Sequence, residues 1–494
     1  MTTIQPIEEA TYKKRRMTKC LFLVTVVSSF GSLQYGYNLW VVYSPSVLLQ
    51  DFYNVSYGEK SILNKDPNYT SFLTGVTIAL FPLGGIVGSL LVGFLVDKYG
   101  RKGTLVINSF LSIIGAVLMG CVKVIRAYEF TMVTRLVIGI CAGIFSTAIP
   151  MYLAEISPEN LRGSIVMTPH LFLILGVLAA QILALREILG THEGWPILMC
   201  LVGILALFQM IILPNFPESP RYLLIQKKDE EKARNALKKL RDQDDVENEM
   251  EEFRQEDLAD KSEKQMNSLK LLCFASLRWQ VISVIVLTAG QQLTGVNAAY
   301  FYTERIYTST RIGLDNVRYI SICSTALLIL SISLGMVLTE VVGRRLLLLI
   351  GFASCALFGV LLCITIPYQK NLSWVAYLNT IFVDLFLCGQ ALGPASIPNV
   401  ITAELFLQSS RSSGYVIGGF VHWFLYFLTG VTFLHVEDNL GSSSFLLFLP
   451  ACIIAFIYTF KVVPETKNKS FLDIRRFILI QNAKRILVKS QTIG

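Results

Sequence analysis

Three carboxamides lie close together inside one long apolar stretch: Gln291, Gln292 and Asn297. Each offers N–H donors and a carbonyl acceptor, and none of them carries charge. A hexose presents the complementary set, a ring of hydroxyls that donate and accept in turn. Such hydrogen bonds contribute only about 0.5–1.5 kcal/mol each once the exchange with water is counted. Weak, exchangeable contacts suit a site that has to release what it holds. Thr294-Gly295 falls between the amides and lowers helix propensity, so the outer half of the stretch, with Tyr300 and Tyr302, can bend over the site. On these residues alone the alternative, amides bonding neighbouring helices inside a membrane, stays open.

A second set of residues suits ion pairing. Gly100-Arg101-Lys102 returns about half a chain later as Gly343-Arg344-Arg345. Glu155 with Arg162 returns as Glu404 with Arg411, and Pro217-Glu218-Ser219-Pro220-Arg221 is echoed by Pro464-Glu465-Thr466-Lys467. The order is kept and the offset is nearly constant, which points to a duplicated unit, and duplicated membrane halves are the build of a secondary transporter. Asp97 precedes the first Gly-Arg turn and Glu340 the second. These carboxylates and guanidiniums can pair across the halves while an inner gate is closed. One partly exposed pair contributes about 0–1 kcal/mol, but several acting together can bias two conformations. Loop anchoring in the cytosol is the plainer alternative.

The elements that must position these groups are apolar spans. Of the 494 residues 53% are hydrophobic and 16% charged, and mean hydropathy is +0.55; soluble domains carry about 25% charged residues. Spanning helices need about 20 apolar residues each. Twelve such stretches are expected: 20–43, 72–95, 104–122, 130–153, 164–186, 196–214, 279–303, 318–339, 346–367, 375–399, 413–433 and 444–463. The expected organisation is a tail (1–19), a six-helix half (20–214), a linker with short surface helices (215–278), a second six-helix half (279–463) and a C-terminal tail (464–494). A flexible tether is the alternative for the linker. The tenth stretch contains Gly389, Gly393, Pro394 and Pro398, breaks that are tolerated where a cavity or a neighbour satisfies the freed backbone groups.

Basic residues cluster at Lys13-Lys14-Arg15-Arg16, in the linker and at Arg475, Arg476, Lys484 and Arg485. This places both tails and the linker in the cytoplasm. The net charge of +8 has no continuous patch behind it, which argues against nucleic acid. The first 19 residues are too charged for a signal peptide, so the first stretch is expected to be retained as a helix. That orientation puts the sequons at Asn54, Asn68 and Asn371 outside, with Asn54 the preferred glycosylation site, and Asn468 inside. Ten cysteines, mostly within apolar runs, have neither metal-site nor disulfide-framework spacing. No metal or cofactor is expected, and no nucleophile–base pair suggests an enzyme.

The paired Gly-Arg turns, Pro217 to Arg221, Gln291-Gln292-Leu293-Thr294-Gly295-Val296-Asn297, Gly393-Pro394 and Pro464 to Lys467 together resemble the sugar-porter branch of the major facilitator superfamily. Gln34-Tyr35-Gly36-Tyr37-Asn38, Gly194-Trp195-Pro196-Ile197, Arg221-Tyr222-Leu223-Leu224-Ile225-Gln226-Lys227, Phe406 to Arg411 and His422-Trp423 are similar to animal facilitative hexose transporters. Within these the chain sits nearest the subgroup that includes the fructose transporter. The resemblance runs from residue 18 to residue 475. It implies an all-α membrane protein of twelve transmembrane helices in two halves, a monomer among plasma-membrane lipids, and uniport of a hexose such as fructose. It also implies substrate contacts from Gln291, Gln292, Asn297, Tyr35, Gln181, His422, His170 and Gln390, and gating by Tyr300, Tyr302, Gly393 and Pro394. The charges of the inner gate would be Asp97, Arg101, Glu155, Arg162, Glu340, Arg344, Arg345, Glu404 and Arg411.

Several positions depart from that pattern. His170 stands where relatives commonly carry Gln, Gln390 where the fructose subgroup has His, Leu328 where Asn is frequent and Ser396 where Pro is usual. Asp384 lies near the middle of the tenth stretch, so its carboxyl should face the interior or be protonated and bonded to a neighbouring helix. The first stretch holds no acid, which favours facilitated diffusion over proton coupling. A carrier of another solute such as urate, or a non-transporting sugar sensor, is the alternative.

Overall fold

The computed structural model describes residues 16–42, 67–125, 127–260, 268–309, 314–478 and 480, and the expected glycosylation site Asn54 lies outside them. Eleven helical stretches among these are long and apolar enough to cross a membrane. One of them, Phe72–Gly120, is 49 residues long, more than twice what a bilayer core of about 30 Å requires. It is broken at Gly100, where φ is +81°, so it contributes two spans and brings the number to twelve. Span 1 is Lys19–Trp40, spans 2 and 3 are 67–99 and 101–120, span 4 is Tyr128–Ile156, span 5 is Arg162–Leu183 and span 6 is Trp195–Asn215. Span 8 is Leu314–Val341, span 9 Arg344–Thr365, span 11 Gln408–Leu440 and span 12 Leu449–Lys461.

Spans 7 and 10 are each interrupted. Span 7 consists of Arg278–Gln292 and Val296–Ser309, with Gly295 between them at φ +91°. Span 10 consists of Ser373–Leu392 and Ile397–Leu405, separated at Gly393–Ser396. A side chain at Gly393 would run into the Leu347 carbonyl of span 9, and Pro394 packs against Gly351. The break is therefore fitted tightly onto span 9.

Within each six the helices approach closely through small residues. A Cβ at Gly84 or Gly88 would meet backbone of span 4, and one at Gly139 or Gly143 would meet backbone of span 2. Lipid tails give helices no hydrophobic reason to associate, so this close backbone contact is the packing interaction that membranes favour. Large apolar side chains such as Phe94, Phe110, Ile204, Leu330, Val337 and Ile381 remain exposed on the outside of the bundle, as a surface facing hydrocarbon requires. The two sixes meet chiefly where span 11 packs on span 2 and span 8 on span 5.

At one end of the bundle lie the helices Glu230–Arg241, Glu247–Asp260 and Ser268–Cys273. Met250 and Phe253 pack with Ala233 and Leu237 to join the first two of these, Arg221 lies over Phe253, and Asp260 reaches the start of span 11 through Ser409.

Candidate functional site

The interruption of span 7 sets the geometry of its amides. Gln291 and Gln292 close the inner piece, Asn297 opens the outer one, and all three face span 11 or span 10. Gln291 donates from Nε2 to the Ala395 carbonyl freed by the break in span 10, and its Oε1 stands 3.3 Å from His422 Nδ1. Gln292 Nε2 lies 2.9 Å from the same His422 Nδ1. Asn297 donates to Thr429 Oγ1 at 2.7 Å. His422 is therefore a hub between two span 7 amides, and the broken backbone of span 10 is satisfied by Gln291.

The opposite half adds His170 and Gln181 from span 5. His170 makes no hydrogen bond among the described residues and lies close enough to His422 to interact with it electrostatically. Gln181 is buried, and its Oε1 has no hydrogen-bond partner among the described residues; neither does Oε1 of buried Gln292. Two carboxamide oxygens from opposite halves are thus left without donors, an arrangement that costs about 1–3 kcal/mol for each group until something donates to it. Hydroxyl groups of a bound solute are the donors that would fit.

Other sequence-derived candidates sit differently. Tyr35 is buried in an aromatic cluster with Phe81 and Trp423, whose ring centroid is 5.3 Å away, so its phenol ring packs and its hydroxyl makes no hydrogen bond among the described residues. Gln390 is buried and forms none either. Leu328 belongs to the apolar core. Tyr300 meets Trp40 of span 1 edge-on at 6.1 Å, which brings the two halves together over the amide cluster. Tyr302 is on the same helical piece, and its side chain is outside the described set. Trp423, next to His422, is fully buried and donates from Nε1 to Ser146 Oγ of span 4 at 3.0 Å.

The duplicated charges gather at the end of the bundle that carries the linker helices. Arg101 pairs with Glu155 at 3.0 Å and Arg344 with Glu404 at 3.3 Å, so each guanidinium is held within its own half. Glu340 adds a pair to Arg344 at 3.3 Å. Contacts between halves come from other groups: Gln408 Nε2 donates to Glu155 at 3.0 Å, Arg411 approaches Glu155 at 3.8 Å, Arg162 approaches Glu404 at 4.0 Å, and the Ser164 backbone N–H donates to Glu340 at 2.8 Å. Asp97 is only partly exposed, and its Oδ1 accepts no hydrogen bond. Arg345 stands apart, donating to the Phe460 carbonyl of span 12.

Three groups absent from the expected gate complete it. Glu218 accepts from the Lys102 backbone N–H at 3.1 Å, and Glu465 accepts from Arg344 and Arg345 N–H at 3.0 and 3.1 Å. Each echoed Pro-Glu motif thus caps the N-terminus of the span after its Gly-Arg turn. Burial pushes the Glu218 carboxyl above its ordinary value, although the Ser219 and Lys102 N–H groups pull it down. The third group is Phe471. Its ring lies under the guanidiniums of Arg162 at 3.9 Å, Arg411 at 4.1 Å and Arg221 at 4.9 Å, from the first half, the second half and the linker. Arg162 has no hydrogen bond of its own, so the aromatic face is its nearest partner. This end of the bundle is closed.

A family model described as "Sugar (and other) transporter" matches residues 24–477. The chain is 44% identical over 476 residues to the human solute carrier family 2, facilitated glucose transporter member 5, covering 96% of this chain and 95% of that one. It is 43% identical to the human member 7 of the same solute carrier family, covering 96% and 93%. Among solved structures the bundle superposes on the major facilitator superfamily proton:xylose symporter XylE, bound to 6-bromo-6-deoxy-D-glucose, with a TM-score of 0.81. The two chains are 21% identical, and the match covers 94% of this chain and all of the other.

Proposed function

Because the chain belongs to the sugar (and other) transporter family of multi-pass membrane carriers, we propose that it is a uniporter carrying a hexose across the plasma membrane by alternating access. The observation that carries this reading is the pair of buried, donor-less oxygens on Gln181 and Gln292, one from each half. With Gln291, Asn297, His170, His422 and Gln390 they form a neutral set of donors and acceptors between the halves, and a ring of hydroxyls matches it. Tyr300 covers the site from one side, and the break at Gly393 and Pro394 lets span 10 flex beside it. Glu155, Arg162, Glu340, Glu404 and Arg411 tie the halves together on the opposite side, where Arg101 and Arg344 hold Glu155 and Glu404 in place and Asp97 lies beside Arg101, with Arg345 anchoring span 12. That side faces the cytoplasm, since the charged linker helices and Arg475 and Arg476 lie there. The unit is a monomer bathed in lipid.

Uncoupled transport is supported by span 1, which contains no Asp or Glu from Lys19 to Trp40. Buried Arg135 of span 4 instead donates to the Asn38 carbonyl at 2.9 Å and lies over the Phe81 ring. Purified protein in proteoliposomes is expected to exchange labelled fructose or glucose without a proton gradient, and unlabelled hexose is expected to compete. A strict requirement for the gradient would remove the uniport reading. Uptake of urate with no uptake of either sugar would replace the substrate class, and His170 would then be the first residue to re-examine.

A further inference from the structure

Span 10 carries a carboxyl group that the sugar site does not use. Asp384 Oδ1 lies 2.7 Å from Ser324 Oγ of span 8 and 3.1 Å from Tyr307 OH of span 7, and those two hydroxyls also touch each other. Tyr307 is fully buried and Ser324 nearly so. Three oxygens from three helices therefore form a closed triangle. Tyr307 and Ser324 bring one proton each. All three contacts are hydrogen bonds only when a third proton is present, and the Asp384 carboxyl is the group that can hold it. An ionised carboxylate would be costly here, since no cation pairs with Asp384 among the described residues.

The triangle stands where span 7 is divided. Inside the break, Arg278–Gln292 packs on spans 11 and 12; beyond it, Val296–Ser309 packs chiefly on spans 10 and 8. Tyr307 lies on that outer piece, and Asp384 and Ser324 lie on its two supports. The same piece bears Asn297 and Tyr300, and Tyr300 meets Trp40 of the opposite half. Whatever seats this piece also sets whether the sugar site is covered.

Resting on the transport reading above, we propose that Asp384 is a positioning residue of the transport cycle. In its neutral form it pins the outer piece of span 7 to spans 8 and 10, with Tyr300 against Trp40. When the carboxyl O–H bond breaks and the proton passes to water, the carboxylate keeps two accepted bonds, but the Tyr307–Ser324 contact is left as two facing oxygens without a proton, and their repulsion loosens the seat of the outer piece. The titratable neighbours are Tyr300 behind Tyr307 and Cys388 one turn along span 10. Span 8 carries Arg318 nearer its start; span 9 has only Cys355 and Cys363 between 346 and 365, and Tyr368 follows it. The side chains of Glu304, Arg305 and Asp315 lie outside the described set.

Asp384→Asn retains a donor and an acceptor but cannot titrate. The full-length protein and this variant are compared in proteoliposomes from about pH 5 to about pH 9, a range wide enough to ionise a shielded carboxyl. Two quantities are read: amide hydrogen exchange of residues 296–309, as the ratio of unsubstituted protein to variant at each pH, and the pH profile of fructose and glucose exchange. The ratio is expected to rise by about fivefold with pH, with no rise in 278–292, and the variant's transport profile is expected to be flatter. A ratio that stays constant, or a rise shared by 278–292, overturns the proposal. Tyr307→Phe removes one proton and one contact, and is expected to speed exchange of 296–309 at every pH; slow exchange in it would also overturn the proposal. Should the vesicles move no sugar while the ratio rises, the transport reading fails and the latch stands. Sugar exchange with a flat ratio rejects the latch alone.

Discussion

His422 stands between two amides that make opposite demands on the same nitrogen. Gln292 Nε2 is a donor 2.9 Å from Nδ1, while Gln291 Oε1 is an acceptor 3.3 Å from it. The shorter contact makes Nδ1 the acceptor, which leaves the ring proton on Nε2. His422 thereby presents a donor, Gln292 Oε1 an acceptor, and Gln181 Oε1 a second acceptor from the other half. Gln292→Leu removes one acceptor and also frees His422 to rotate. Sugar uptake by this variant is expected to show a KM raised about fivefold to thirtyfold, the equivalent of one or two hydrogen bonds of about 1 kcal/mol, with surface expression unchanged. An unaltered KM would take Gln292 out of the site. His170→Gln tests the facing wall: it substitutes an amide for the ring near His422, and the ratio of fructose to glucose uptake is the quantity expected to move.

At the scale of elements, two helix starts repeat one construction. Gly100 and Gly343 hold φ at +81° and +105°, and in each case a carboxylate, Glu218 or Glu465, fills the space where a side chain would go. The carboxylate then caps the first N–H groups of spans 3 and 9. A Gly343→Ala substitution imposes a strained backbone and also pushes Glu465 off its donors. It is expected to cost about 1–3 kcal/mol, read as a lower Tm in detergent; Gly103→Ala, which has room beside Tyr99, serves as the control. Equal Tm values for the two variants would refute the construction. The sequence carried the Gly-Arg turns and the Pro-Glu motifs as separate signatures, and the breaks at Thr294-Gly295 and Gly393-Pro394 were legible from local residue type. The capping itself was not legible, because it joins Glu218 to Lys102 across more than a hundred residues and no local periodicity records such a contact. Twelve apolar runs were legible for the opposite reason: a bilayer imposes length and composition on every span independently.

For the whole molecule, the charged signatures foretold pairing across the halves, and of their arginines Arg162 and Arg411 reach across, to Glu404 and Glu155, whereas Arg101 and Arg344 do not. Arg101 and Arg344 are held at home by Glu155 and Glu404, while the halves are joined by Gln408, Arg411, Arg162 and Ser164, by the linker, and by Phe471 beneath three guanidiniums. Which arginine meets which acid depends on how the halves dock, and that information is absent from spacing along the chain. The linker's hold is open to a direct test at Asp260, which accepts from the Ser409 N–H and hydroxyl. Burial pushes its carboxyl up from 3.8 to about 6, and Glu256 adds to this, while the Ser409 donors and Arg411 oppose it. A carboxyl raised on docking favours the docked state below its free value and loses that contribution as pH rises through about 6. Glu159, raised to about 7 by burial and by Glu252 of the linker helix, acts in the same sense. Between about pH 4 and pH 6 docking should therefore tighten on acidification by up to about tenfold per pH unit for each of the two carboxyls. Hydrogen exchange of residues 247–260, corrected for intrinsic rates, is expected to slow as pH falls from 7 toward 5 and to change little above 7. In Asp260→Asn the dependence should flatten to the part that Glu159 supplies. A variant with the full wild-type slope would show that the linker is clamped by its arginine pairs with Glu256 and Glu252 rather than through Asp260.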